Sequence, residues 1–185
     1  MSAKTPFPLR TLVALACLLV GLSGVFPVNA QDDSQAAAQA KPKPCSSPEY
    51  RQFDFWVGDW NVHSPAGKKQ GENRVVTLLG GCVVQENWVG EQGSIGHSYN
   101  MYSNRDKQWH QTWVDNQGLL LQIAGGLEDG KMVMRGMLNG RDGKPVLHEI
   151  SWEPLDNGDV RQHWRASKDG GKTWQDLFIG IYSKK

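Results

Sequence analysis

Residues 45–185 predict an all-β domain, a roughly ten-stranded antiparallel up-and-down barrel entered from a short N-terminal helix. Three observations lead there. From Trp60 onward, apolar residues recur with a period near two. Turn residues such as Gly80-Gly81, Asn116 to Gly118, Asp129-Gly130 and Asn157-Gly158 interrupt that pattern again and again. The gaps are too short for crossover helices, so consecutive strands pair antiparallel. A sheet of that width leaves exposed edges unless it closes. A two-sheet β-sandwich is the alternative architecture.

The first 30 residues read as a signal peptide. Lys4 and Arg10 give a positive start, Thr11 to Phe26 is mostly apolar, and Val28-Asn29-Ala30 places small residues before a cut after Ala30. The apolar run is short for a membrane-spanning helix. Cys17 raises a lipid-anchored alternative, but apolar sequence continues past it, whereas a lipid-attachment cysteine ends that region. The expectation is an exported protein, periplasmic or extracellular, with no stable membrane anchor after cleavage. Residues 31–44 (Gln31 to Pro44) lack periodicity and large apolar residues and read as a flexible leader.

Lys4 and Arg10 are the only charged residues of the expected signal peptide. The remaining chain therefore carries 18 Lys and Arg against 19 Asp and Glu, a net charge of −1. No basic face or run remains, which argues against a nucleic-acid partner. Cys45 and Cys82 are the two cysteines left, and an oxidising compartment favours a disulfide between them. Two buried thiols are the alternative.

Ser47-Pro48-Glu49 has the composition of a helix start, with Tyr50, Phe53 and Val57 following at helical spacing and Gly58 ending the segment. Strands are then expected near 59–64, 73–79, 82–89, 95–103, 108–115, 118–125, 131–138, 145–154, 159–167 and 174–183. Between the last two, Ser167, Asp169, Gly171, Thr173 and Trp174 fit the pattern S-x-D-x-G-x-T-W. It resembles the Asp-box of sialidases and other β-proteins, where it is a braced hairpin turn with no catalytic part. A structural role is expected for it here.

Gly58-Asp59-Trp60, after a short helix and before the barrel, resembles the Gly-x-Trp entry of calycins, the superfamily of lipocalins, fatty-acid-binding proteins and haem-binding nitrobindins. The resemblance gives Gly58 and Trp60 structural roles and implies that a late-strand cation, Arg161 or Arg165, covers Trp60. A longer string runs through Phe53 to Val62, Gly81-Cys82, Glu86-Asn87-Trp88, Ser98-Tyr99-Asn100 and Trp109 to Asp115, ending in the Asp-Gly-Gly-Lys-Thr-Trp turn. It resembles a family of small exported bacterial proteins of unknown function with a lipocalin-like barrel, over nearly the whole mature chain. That resemblance implies a fold and no activity.

Strand parity proposes inner faces. Val146, His148, Ile150 and Trp152 oppose Leu147, Glu149, Ser151 and Glu153; Gln162 and Trp164 oppose Arg161, His163 and Arg165. On 95–103 the choice is Ser98, Asn100 and Tyr102 against His97, Tyr99 and Met101. If the residues of the longer string point inward, the lumen holds Glu86, Trp88, Ser98, Asn100, Tyr102, Trp109, Gln111, Trp113 and Gln162. Such an interior describes a site for a small organic ligand with apolar and polar parts, walled by indoles and oriented by amide, hydroxyl and carboxyl groups. Yet burying one indole contributes roughly 4–6 kcal/mol before entropy. Eight tryptophans serve equally well to fill a solid barrel that has a structural or interaction role.

Glu86 is the candidate catalytic residue, because a carboxyl desolvated beside Trp88 acquires a pKa suited to acid or base work of isomerase, lyase or hydrolase type. The five histidines, 63, 97, 110, 148 and 163, show no paired metal-ligand spacing, and no metal or other cofactor is expected. Haem is the one cofactor alternative, on an inward His148, or on His110 or His97 if the parity is reversed. Oligomeric state is not legible.

Overall fold

The computed structural model describes residues 42–185. The expected signal peptide, its cut after Ala30, the Cys17 alternative and most of the 31–44 leader lie outside them. Among the described residues no helix is long and apolar enough to cross a membrane.

Ten strands form one closed antiparallel barrel. In order they are β1 (Gly58–His63), β2 (Lys69–Leu78), β3 (Val83–Gly90), β4 (Ile95–Ser103), β5 (Gln108–Asp115), β6 (Leu120–Glu128), β7 (Lys131–Asn139), β8 (Pro145–Pro154), β9 (Val160–Ser167) and β10 (Gln175–Lys184). Each pairs with its successor, and β10 returns to β1 through Trp60↔Lys184 and Val62↔Tyr182. That last pairing removes the edges a meander would leave, and it excludes the two-sheet sandwich. All ten expected strands are present. β2 starts four residues early because the polar run Lys69 to Glu72 still finds backbone partners on both sides, His63↔Lys69 and Gly71↔Gly90.

The alternation is as the parity proposed. Ser98, Asn100 and Tyr102 are buried while His97, Tyr99 and Met101 are exposed, and Glu86, Trp109 and Gln111 are interior. The short N-terminal helix consists of two 3-10 turns, Pro48–Arg51 and Asp54–Trp56. With three residues per turn, Tyr50, Phe53 and Trp56 align on one side, and Trp56 takes the buried place expected for Val57. Ser47 does not cap the turn through its side chain; its hydroxyl donates to the Glu49 carboxylate instead.

These turns plug the lower end of the barrel. Phe53 stacks on Trp56 (centroids 5.0 Å apart) and meets Trp152 and Trp109 edge-on at 5.1 and 5.6 Å. The Trp109 Nε1 donates to Gln52 Oε1 (3.1 Å), and Asn104 donates to the Tyr50 hydroxyl (3.1 Å). A Cys45–Cys82 disulfide ties the start of the plug to the connection between β2 and β3.

Trp60 is fully buried and its Nε1 donates to the Trp56 carbonyl (2.9 Å), which joins plug and first strand. The cation over Trp60 is neither Arg161 nor Arg165 but Lys184, with Nζ 5.3 Å from the ring centroid. Closure puts Lys184 directly opposite Trp60, whereas odd-numbered β9 residues face outward. On that outer face Arg165 lies 4.3 Å over Trp174 and, with Arg135, sandwiches the Glu149 carboxylate. The Ser167–Trp174 turn is braced as its pattern implied. Asp169 accepts from the backbone N–H groups of Lys172 and Thr173 and from the Thr173 hydroxyl, and Gly171 N–H donates to Ser167 Oγ.

Candidate functional site

The plug fills only the lower half of the barrel. Above it lies a cavity of about 460 Å³, reached between the β1–β2 and β3–β4 connections through Ser64, Lys68, Glu91 and Gln92.

Four aromatic rings wall it: Trp88 from β3, Trp113 from β5, Trp164 from β9 and Phe178 from β10. Glycines on the same or adjacent strands let three of them lie along the wall. A Cβ at Gly96 would occupy the place of the Trp113 ring, one at Gly71 would fall 2.8 Å from Trp88, and one at Gly180 would fall 2.7 Å from Phe178. Trp88 and Phe178 meet edge to face at 5.9 Å. Two indole N–H groups are engaged by the protein, Trp88 with Ser94 Oγ (3.2 Å) and Trp164 with His148 Nδ1 (3.0 Å). Trp113 makes only a long contact to Asp115, at 3.5 Å.

At the cavity's base sit Glu86, Gln111, Gln162 and Tyr182 beside Leu121 and Ile150. Glu86 is 4% exposed. Its Oε1 accepts from Asn73 Nδ2 (2.7 Å) and its Oε2 from Ser98 Oγ (2.8 Å). Behind it the network continues: Asn100 Nδ2 donates to Ser98 Oγ (2.9 Å) and to the Val84 carbonyl (3.0 Å), and Gln111 Nε2 donates to Asn100 Oδ1 (2.7 Å). The Tyr182 hydroxyl donates to Gln162 Oε1.

Burial raises the Glu86 carboxyl to about 7, against the opposing pull of the hydrogen bonds from Ser98 and Asn73. The same burial, with Glu86 nearby, pushes the Tyr182 phenol well above its ordinary range. His148 is held below its ordinary value by burial; with Nδ1 accepting from Trp164 it is the neutral tautomer protonated on Nε2.

Of the residues proposed from sequence as ligand-contacting, Trp88, Gln111, Trp113, Gln162 and Trp164 come together around the cavity, with Glu86 among them. Ser98 and Asn100 stand one layer behind, positioning Glu86 and Gln111 rather than lining the space. Trp109 and Tyr102 belong to the plug, where Tyr102 meets Tyr50 at 5.3 Å. Gln70, Phe178 and Tyr182, which line the cavity, and Asn73, which stands behind Glu86, were missed by the sequence reading. For Asn73 the available signal was its parity with Val75 on β2. Among the described residues no cluster of three or more His, Cys, Asp or Glu is arranged to hold a metal ion. The chain matches no known family model, and no curated protein is significantly similar to it.

Proposed function

We propose that the upper barrel is a binding site for a small organic molecule with both apolar and polar parts. The observation that carries this reading is the composition of the cavity: aromatic rings laid along the wall around a base of one carboxyl, two amides and a phenol. Apolar walls with a few convergent polar groups are the usual make-up of a small-molecule site. Glycines at 71, 96 and 180 keep the lumen clear where side chains would fill it. The disulfide supports a working compartment outside the reducing cytoplasm, in keeping with an exported, lipocalin-like protein. Native mass spectrometry of the protein purified gently from an oxidising compartment tests the reading. An adduct lost on denaturation is the expected result. A bare mass, together with failure to bind any member of a panel of aromatic amines, alcohols and acids, would contradict it.

A second reading, catalysis of isomerase, lyase or hydrolase type, is favoured by one observation. A carboxyl with a pKa of about 7 lines an accessible cavity and exists in both protonation states near neutrality. Under that reading Glu86→Gln abolishes turnover of a bound compound, whereas a pure binder keeps its fold and alters only its affinity.

A further inference from the structure

Charge and hydrogen-bonding capacity in the lumen are lopsided. The four charged side chains at the rim, Lys68, Lys69, Glu91 and Asp115, balance one another, and Lys69 is paired with Glu91 at 3.2 Å. Below them Glu86 is the one carboxyl, and among the described residues no Lys, Arg or His lies within ion-pair distance of it; its partners are an amide and a hydroxyl.

Two acceptors near it are unpartnered. Asn73 is 2% exposed and faces the interior beside Glu86, yet its Oδ1 meets no partner; Gln70 Oε1, on the cavity wall, meets none either. Gln111 gives one N–H to Asn100, a bond that does not engage its carbonyl oxygen. The indole donors of Trp88 and Trp164 are turned to Ser94 and His148, so these walls offer ring surfaces, whose faces are electron-rich. Carboxylate, amide oxygens and aromatic faces all attract a positively charged hydrogen-bond donor. A neutral apolar guest would leave buried acceptors unpaired. An anion would confront Glu86.

Resting on the reading that this cavity binds a small molecule, we propose that its ligand is an organic cation, a protonated amine on a flat apolar body. Glu86 is the counter-charge, the Gln111 carbonyl receives an ammonium proton, and Trp88, Trp113, Trp164 and Phe178 hold the body.

Three probes of one shape test this: 2-phenylethylamine, 2-phenylethanol and phenylacetate, titrated calorimetrically into the full-length mature protein at pH 8, where Glu86 is ionised. The amine binds about tenfold tighter than the alcohol, and phenylacetate more weakly than either. Glu86→Gln removes the preference for the amine over the alcohol. Equal binding of amine and alcohol, or tightest binding of phenylacetate, overturns the cation assignment while the cavity remains a binding site. Binding of none of the three overturns both readings. The wild-type comparison needs no substitution, so a Glu86→Gln chain that fails to fold leaves the test intact.

Discussion

Asn73 donates to Glu86 across 2.7 Å from the neighbouring strand, and its own carbonyl oxygen has no partner. A buried carboxyl is thus held by one half of an amide whose other half is unpaired, at the base of a cavity with aromatic walls. Internal packing does not require such an arrangement, because a hydrophobic pair of similar size would fill the space without stranded acceptors.

Stability should fall as pH rises through the range set by Glu86. Its pKa moves from 4.5 in the unfolded chain to about 7 in the fold. The folded state therefore holds the proton more tightly, and the stability linked to it is fully present below about 4.5 and lost as pH climbs to 7. The facing titratable group, the Tyr182 phenol, stays neutral throughout because burial raises it. Urea midpoints of wild type and Glu86→Gln between pH 4 and 8 check this. The two curves should diverge by on the order of 3 kcal/mol across that interval, with the variant flatter.

Gly96→Ala should convert binding site into core. The added methyl group takes the place of the Trp113 ring and forces it off the wall into the lumen. The expected cost is about 1–3 kcal/mol of stability, with ligand binding lost and the near-ultraviolet circular dichroism of the indoles changed. A variant that binds like wild type would show that the wall position of Trp113 is irrelevant.

Reduction of Cys45–Cys82, or Cys45→Ser, should loosen the plug first. In the chain-entropy account the bridge contributes roughly 4 kcal/mol, and its loss frees the segment that carries Tyr50, Phe53 and Trp56. Hydrogen exchange should rise at residues 48–56 before it rises in the strands. Uniform exchange across the barrel would contradict the assignment of the plug as a separately tethered element.

Asp169→Ala should leave the barrel folded while the β9–β10 turn opens. The carboxylate accepts four hydrogen bonds within the turn, and these hold its pKa down at about 2. Because the folded pKa is depressed, the bracing persists above the ordinary carboxylate range and fades only as pH falls toward 2. Amide exchange at Lys172 and Thr173 reads this directly, with protection expected in wild type at pH 4 and absent in the variant.

Much of the barrel was legible because local pattern and global fold agree. Alternation on β8 and β9, and glycine turns between short strands, leave little freedom in strand identity or facing. What depended on closure was not legible. Lys184 reaches Trp60 only because the last strand pairs with the first, a register no local pattern encodes. Phe178 and Tyr182 were hidden because β10 is apolar on both faces, with Ile179 and Ile181 between them. Trp109 and Trp113 share one face of one strand, yet one belongs to the plug and the other to the cavity wall. Their difference is set by how deep the 48–56 segment inserts, which parity does not report. Asn73 is one polar residue at the start of the strand expected near 73–79, and only the pairing of β2 with β3 sets it beside Glu86.

The eight indole N–H signals of a ¹⁵N-labelled sample, followed during titration with 2-phenylethylamine, test the central claim most directly. Trp88, Trp113 and Trp164 should shift with ligand, while Trp56, Trp60, Trp109 and Trp152, packed at the plugged end, stay in place. Shifts centred on the plug tryptophans or on the outer Trp174, with the cavity three unmoved, would contradict the account.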